Sequence, residues 1–296
     1  MDIRRVAVLG AGRLGRGIAE AAASKGYDVV LFSQGAGGKD AVSRIEKSLD
    51  RKLAKWGITE SEKRLVLGRI SYTQDLKELS KVDLFIEATL DHMHIKKELL
   101  RAADHYCRPE VVFISASATM RVSDLAREIN RSDMLVGLHF IPPVTQVAVA
   151  ELVRGEKTSD LAVETAKTFA ARLGKEAVEI EESRGLVNPR ALVVMINEAA
   201  YMVDEGVCDE YAAERILKES WGMKQGPLEM ADRLGLDLVL NWMEQLQDTF
   251  GHRYAPCPLL RRYVREGRLG VKTRLGFLAY SEDDALLTED EGDKED

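Results

Sequence analysis

The chain has 296 residues, of which 45% are hydrophobic and 6% aromatic, a size and balance that fit one large or two ordinary globular domains. The formal net charge of −7 is concentrated in residues 281–296, which hold nine acids and one lysine, so the rest of the chain is close to neutral. No apolar run reaches the roughly 18 residues of a membrane span, no basic patch with interleaved aromatics suggests nucleic acid, and Cys107, Cys208 and Cys257 stand far apart without metal-ligand spacing.

The first apolar run, residues 6–9, breaks at a turn that sets Gly10, Gly12 and Gly15 in the spacing G-x-G-x-x-G. A helical segment follows with Ile18, Ala21, Ala22 and Ala23 inward, and then a second apolar run, residues 29–32. The three glycines serve different physical ends. The first permits a tight turn, the second lets backbone approach a pyrophosphate, and the third lets helix and strand pack closely. The helix start, at Arg13 and Leu14, adds amide N–H groups and a positive dipole end. This unit predicts a dinucleotide site, with a purely structural glycine turn as the other reading. The start of the chain runs directly into the first strand and leaves no room for a signal peptide. With the unpaired cysteines, this makes the cytoplasm the expected location.

A Gly-rich stretch at 35–38 leads into an amphipathic helix over 40–56, with Val42, Ile45, Leu49 and Leu53 on one stripe. A helix over 60–67, strands at 69–72 and 82–87, a helix over 93–106 and a strand at 111–115 follow. Next come a helix over 122–129, a strand at 134–138 ending at His139, a strand at 147–152, a helix over 161–173 and a strand at 177–180. This alternation predicts an α/β fold, a Rossmann-like, doubly wound, mostly parallel sheet over residues 1–183. From residue 184 the apolar positions recur at helical spacing through 192–202, 211–217, 228–240 and 259–264, with a helix-start turn at 224–227. Residues 184–280 therefore read as a smaller all-helical domain, and the acidic residues 281–296 as a solvated, disordered tail.

Ligands of such sheets bind beyond the carboxyl ends of the strands. Among the five histidines, His139 stands at a strand end, in G-L-H-F-I-P-P, and Glu151 follows twelve residues later. An imidazole oriented by a carboxylate can take a hydroxyl proton while a nicotinamide takes the hydride. From spacing alone, a satisfied core histidine fits equally well.

Longer patterns separate the two readings. His139-Phe140-Ile141-Pro142-Pro143 is followed by Val149-Ala150-Glu151, and Asn197-Glu198-Ala199 by Glu205-Gly206. Gly226-Pro227 precedes Gly235-Leu236-Asp237, and Gly267 to Phe277 reads G-R-L-G-V-K-T-R-L-G-F. These segments resemble the L-3-hydroxyacyl-CoA dehydrogenase family, with its H-F-F-N-P, L-V-E, N-E-A and G-x-L-G-x-K-T-x-x-G-F elements, from Val6 to Tyr280. The resemblance implies His139 as catalytic base and Glu151 as its partner. It implies NAD held near Gly10, Gly12, Arg13, Leu14, Gly15, Ser33, Glu87, Asp91 and Lys96. It places Ser48 and Lys55 at the CoA moiety, although a plain helix surface fits both. It also implies a homodimer, with the helical domain serving dimerisation and substrate binding.

The departures are specific. The family's S-N-T-S-S segment reads Ser115-Ala116-Ser117-Ala118-Thr119 here, so the Asn facing the nicotinamide is Ala116 and the Ser on the substrate oxygen is Ala118. Ser117 and Thr119 remain as neighbouring hydroxyls. The Asn of H-F-F-N-P is Pro142, and the Asn opening the second domain is Pro189, beside Asn188. Ser33 replaces the acid that binds the ribose hydroxyls and repels a 2′-phosphate, which keeps NADP as an alternative, with Arg13 and Lys39 the nearest cations. The expected function is hydride transfer between NAD(P) and the 3-hydroxy or 3-oxo group of an acyl-CoA, or of a related 3-hydroxy acid, in fatty acid metabolism. The alternative is a nucleotide-binding homologue with little or no dehydrogenase activity.

Overall fold

The computed structural model describes residues 3–34, 38 and 40–288. Lys39, most of the Gly-rich stretch and the last eight residues lie outside the described residues. The chain divides into two compact units, residues 1–186 and 187–296.

The first unit is built on one eight-stranded sheet. Its strands are β1 (Arg5–Leu9), β2 (Asp28–Phe32), β3 (Ile70–Thr73), β4 (Leu84–Glu87), β5 (Val112–Ser115), β6 (Leu135–Phe140), β7 (Val149–Val153) and β8 (Glu176–Ile180). They lie in the order β3-β2-β1-β4-β5-β6-β7-β8. Every neighbouring pair is parallel except β6 and β7. The inner strands read as continuous apolar runs because both faces are covered. Val6, Val8, Leu84, Ile86, Val112, Ile114, Val136 and Leu138 face one core, packed by α1 (Arg13–Ser24), α2 (Ala41–Ala54) and α6 (Asp160–Arg172). Ala7, Leu9, Phe85, Phe113 and Leu135 face the other, packed by α4 (Met93–Tyr106) and α5 (Val122–Ala126); α3 (Glu60–Gly68) leads into β3.

Several sequence expectations shift. The 134–138 strand runs on to Phe140, which puts His139 inside β6 rather than past its end. The helix expected over 122–129 stops at Ala126. Ser117 and Thr119 lie on the loop after β5, not on a strand. The last two strands run against the other six, because an eight-residue loop returns the chain from β6 as a hairpin instead of a helical crossover.

The second unit is helical: α7 (Asn188–Asp204), α8 (Glu210–Ser220), α9 (Pro227–Leu234), α10 (Leu236–Phe250) and α11 (Pro258–Arg265). The single helix read over 228–240 is two helices, broken at Gly235, whose φ of +104° belongs to the region that glycine alone enters freely. Motif residues here hold backbone. Asn197 bridges the Ala255 carbonyl and the Cys257 amide. Glu214 accepts from the Gly226, Leu228 and Glu229 amides and so caps α9. Buried Asp232 accepts from the Phe277 and Leu278 amides and from the Tyr280 hydroxyl. The start of the expected disordered tail is ordered instead. The Leu287 amide donates to Ala279, Tyr280 bridges Leu286, and Glu282 pairs with Arg274 at 2.9 Å. Apolar Leu286 and Leu287 interrupt the acidic run, and their segment returns to Ala279 and Tyr280 through backbone pairing.

Candidate active site

Strand alternation concentrates polar groups at one end of one sheet face. Along β4, β5, β6 and β7, the residues that follow Phe85, Phe113 and Leu135 on their face, or precede Val153 on it, are Glu87, Ser115, Gly137 with His139, and Glu151. Register aligns them: Glu87 opposite Ser115, Ser115 opposite Gly137, and His139 opposite Glu151. A carboxylate and an imidazole thus meet as a cross-strand pair. His139 Nδ1 lies 2.7 Å from Glu151 Oε2, and both side chains are buried. A buried carboxylate at this distance favours the tautomer protonated on Nδ1, which leaves Nε2 as the acceptor nitrogen of the ring. A small cleft beside the pair is lined by Ser115, Ser117, Met120, Leu138, His139 and Glu182.

The nucleotide end is built by the turn between β1 and α1. Gly10 has φ +109°, and a Cβ there would lie 2.3 Å from the Ala88 carbonyl oxygen, just past the carboxyl ends of the neighbouring strands β1 and β4. A Cβ on Gly15 would come within 1.7 Å of the Gly10 carbonyl oxygen, whereas one on Gly12 would meet nothing within 4 Å. Gly12 caps α1, and no side chain caps the helix or places an acid in its first turn. The amides of Arg13, Leu14 and Gly15 therefore sit at an anion-accepting helix start. Arg16 adds charge: burial, with repulsion from Arg44 and Arg13, holds its guanidinium down at about 10. This open glycine turn on an uncapped helix start fits a dinucleotide pyrophosphate. Ser33 follows β2, and its carbonyl accepts from the Tyr72 hydroxyl at 2.9 Å.

Glu87, Asp91 and Lys96, expected near the cofactor, form a buried cluster. Lys96 Nζ donates to Glu87 Oε2 at 2.6 Å and lies 3.3 Å from Asp91 Oδ1. Burial opposes the charge on Lys96, but Glu87 and Asp91 outweigh it and raise its pKa. Burial likewise opposes the charge on Asp91, and Lys96, Ser117 and Thr119 hold the carboxyl below its ordinary value. Asp91 organises the loop after β5: the Ser117 hydroxyl donates to it at 2.7 Å, Thr119 at 3.1 Å and the Ala118 amide at 3.2 Å. The two hydroxyls read as stand-ins for the missing serine at 118 are thus engaged with Asp91, and of the two only Ser117 lines the cleft with His139.

Ser48 is half-buried on α2 and Lys55 is exposed just past its end. Two helical turns separate them, so they share a stripe with exposed Arg44 and Arg51. Asn188 opens α7 in the second unit, with Pro189 next in its first turn. Sequence reasoning overlooked Glu182, which receives the Arg121 side chain and the Ser123 amide, and Lys175, whose ammonium binds backbone carbonyls. Their partners lie about 30 to 60 residues away in sequence, and no local pattern announces them.

Comparison with known proteins agrees over nearly the whole chain. Residues 5–183 match the 3-hydroxyacyl-CoA dehydrogenase NAD binding domain, and residues 185–280 match the C-terminal domain of those enzymes. A 3-hydroxybutyryl-CoA dehydrogenase of Bradyrhizobium diazoefficiens is 36% identical over 94% of this chain and 96% of its own. Among solved structures, M. tuberculosis FadB2 superposes with a TM-score of 0.88 at 32% identity, covering 95% of this chain and all of that one. The (S)-3-hydroxybutyryl-CoA dehydrogenase PaaH1 from Ralstonia eutropha superposes with 0.81 at 34% identity, with the same coverage.

Proposed function

The chain belongs to the 3-hydroxyacyl-CoA dehydrogenase family, NAD-dependent oxidoreductases acting on CH–OH donors, and from that premise we propose that it interconverts a short-chain 3-hydroxyacyl-CoA and its 3-oxo form with His139 and Glu151 as the acid–base pair. The observation that carries this reading is the buried His139–Glu151 hydrogen bond held in strand register. The names of the relatives, 3-hydroxybutyryl-CoA dehydrogenases, favour a four-carbon acyl group.

NAD, when bound, supplies the hydride acceptor for the hydrogen on C3. His139 Nε2 takes the proton of the C3 hydroxyl as the carbonyl forms, and Glu151 stabilises the imidazolium that results. In the reverse direction His139 returns that proton to the 3-oxo oxygen. Gly10, Gly12 and Gly15, with the amides of Arg13 and Leu14, hold the pyrophosphate. Glu87, Asp91 and Lys96 set the loop that borders the nicotinamide end. Ser48 and Lys55, with Arg44 and Arg51, offer a cationic stripe to the CoA phosphates. Ser117 supplies the polar edge of the cleft, and Thr119 supports it through Asp91. The family pattern assigns Asn188, in the helical unit beside Pro189, to substrate binding. Exposed Val187, Val194, Val207, Ile216 and Trp221 in that unit support a homodimer. Among the described residues no helix is long and apolar enough to cross a membrane, and all three cysteines are free; the 3-hydroxyacyl-CoA substrate class is what supports a role in fatty acid metabolism, and the expected location is the cytoplasm.

The test is a spectrophotometric assay with acetoacetyl-CoA and either NADH or NADPH. Turnover is expected with NADH, and Ser33 makes measurable use of NADPH the accompanying expectation. His139→Gln should lower kcat roughly 10²- to 10⁴-fold while leaving cofactor affinity unchanged. Ala116 and Ala118 favour a second reading, a nucleotide-binding protein with lost chemistry. Cofactor binding by calorimetry, without turnover of any short or medium 3-oxoacyl-CoA, would establish it and sink the enzyme reading.

A further inference from the structure

We propose that Lys175 is a positioning residue for the reaction: its ammonium fixes the loop joining His139 to Glu151 and so holds that pair in register. The inference rests on the acid–base reading of the pair. Lys175 follows Gly174, which takes φ +75° after α6, and immediately precedes β8. It is only 7% exposed. Its Nζ donates to the carbonyl oxygens of Val144 and Val147. Both acceptors belong to residues 141–148, the loop of the β6–β7 hairpin.

This loop is short of internal donors. Pro142 and Pro143 have no amide hydrogen. Within the loop, the Gln146 and Val147 amides both turn onto the Pro143 carbonyl, at 2.9 and 3.1 Å. The Val144 and Val147 carbonyls are left to a side chain from elsewhere, and Lys175 supplies it. The next amide, Glu176, donates to Ala148 at 2.7 Å, and the β7–β8 ladder starts one residue later with Val149 opposite Glu176. Val144 is buried and sits against α1, where a Cβ on Gly17 would come within 3.0 Å of it. One ammonium therefore ties the hairpin loop to the strand flanking Glu151, and through Val144 to the cofactor helix.

A buried ammonium is a costly way to fill space. Burial alone lowers the pKa of Lys175, and its hydrogen-bond partners are carbonyl dipoles. An apolar side chain would fill the space at less cost, so the charge is explained by what it holds. Strand register decides whether His139 and Glu151 face each other, because a one-residue slip of β7 against β6 turns Glu151 to the opposite face from His139.

The experiment compares wild type with Lys175→Met and Lys175→Arg. It reads kcat, the KM for NADH, and the downfield proton resonance of the His139 Nδ1–H bond to Glu151. Lys175→Met is expected to lower kcat about 10- to 100-fold, to change the KM for NADH little, and to shift or broaden the resonance. Lys175→Arg should restore most of the rate. Lys175→Leu, which likewise has no donor, takes the place of methionine if that variant does not fold. A folded Met or Leu variant with wild-type kcat and an unmoved resonance overturns the proposal, whatever its melting temperature. Absence of turnover in wild type would defeat the functional reading, while the resonance, which needs no substrate, would still decide the role of Lys175.

Discussion

At the residue scale, the two ring nitrogens of His139 have different roles, and Glu151 decides which is which. Glu151→Gln keeps a hydrogen-bond acceptor for Nδ1–H but removes the charge that stabilises the imidazolium. The fall in kcat should therefore approach that of the histidine variant, about 10² to 10⁴, with the dissociation constant for NADH unchanged by calorimetry. A kcat within tenfold of wild type would show that Glu151 only orients the ring. The pair itself was legible in the sequence because the flanking pattern matches a known family; the twelve-residue spacing alone fits a core histidine equally well. The setting of the neighbouring hydroxyls was not. Ser117 and Thr119 are claimed by Asp91, 26 and 28 residues back in the chain, and a hydroxyl in a sequence does not announce its acceptor. Lys96 reads as a cation near the cofactor, but two carboxylates bury it completely.

At the element scale, the β1 turn separates backbone that builds the fold from backbone that meets a ligand. Gly15→Ala drives a methyl into the Gly10 carbonyl oxygen, so it should lower the melting temperature by several degrees and abolish cofactor binding together. Gly12→Ala meets no protein atom within 4 Å. It should leave the melting temperature within about a degree of wild type yet weaken NADH binding tenfold or more, since the second glycine exists to let a pyrophosphate approach. Equal loss of stability in both variants would contradict this division. The inner strands were legible because buried parallel strands are uninterrupted apolar runs. The direction of β7 was not, because hydrophobicity has no arrow: only the loop after Phe140 decides whether the chain returns as a hairpin or crosses over. The break at Gly235 was hidden for a similar reason. Apolar spacing continues from α9 into α10, and the interruption lies in one backbone torsion rather than in the pattern.

At the scale of the whole molecule, Asp91 in the first unit and Asp232 in the second sit in opposite settings, so their contributions to stability should respond to pH in opposite senses. In the first unit buried Asp91 and partly exposed Asp83 titrate below their ordinary value, held down by Lys96 and by the Arg5 and Arg4 amides, respectively, against the cost of desolvation. Their stabilisation is complete above the unfolded value near 4 and fails only as the solution becomes more acidic. In the second unit burial pushes the Asp232 carboxyl up to about 7, against the pull of the Leu278 and Phe277 amides, the Tyr280 hydroxyl and Arg268. A raised folded-state value means the folded unit binds the proton more tightly than the unfolded chain. That stability is fully present below the unfolded value and is lost as pH climbs through about 7. Between pH 4 and 7 the slope should approach roughly 1.4 kcal/mol per pH unit in the second unit and be close to flat in the first. Tryptophan emission can isolate the second unit. Trp242 is 5% exposed there, while Trp56 and Trp221 are 95% and 60% exposed, so the unfolding signal comes chiefly from Trp242. The melting temperature read from that emission should fall by several degrees from pH 5 to pH 8. Asp232→Asn removes the titrating group, so its melting temperature should no longer depend on pH across the same interval. A wild-type melting temperature that holds or rises from pH 5 to pH 8 would mean that Asp232 stays ionised beneath the 277–280 segment, with the two amides and Tyr280 outweighing its burial.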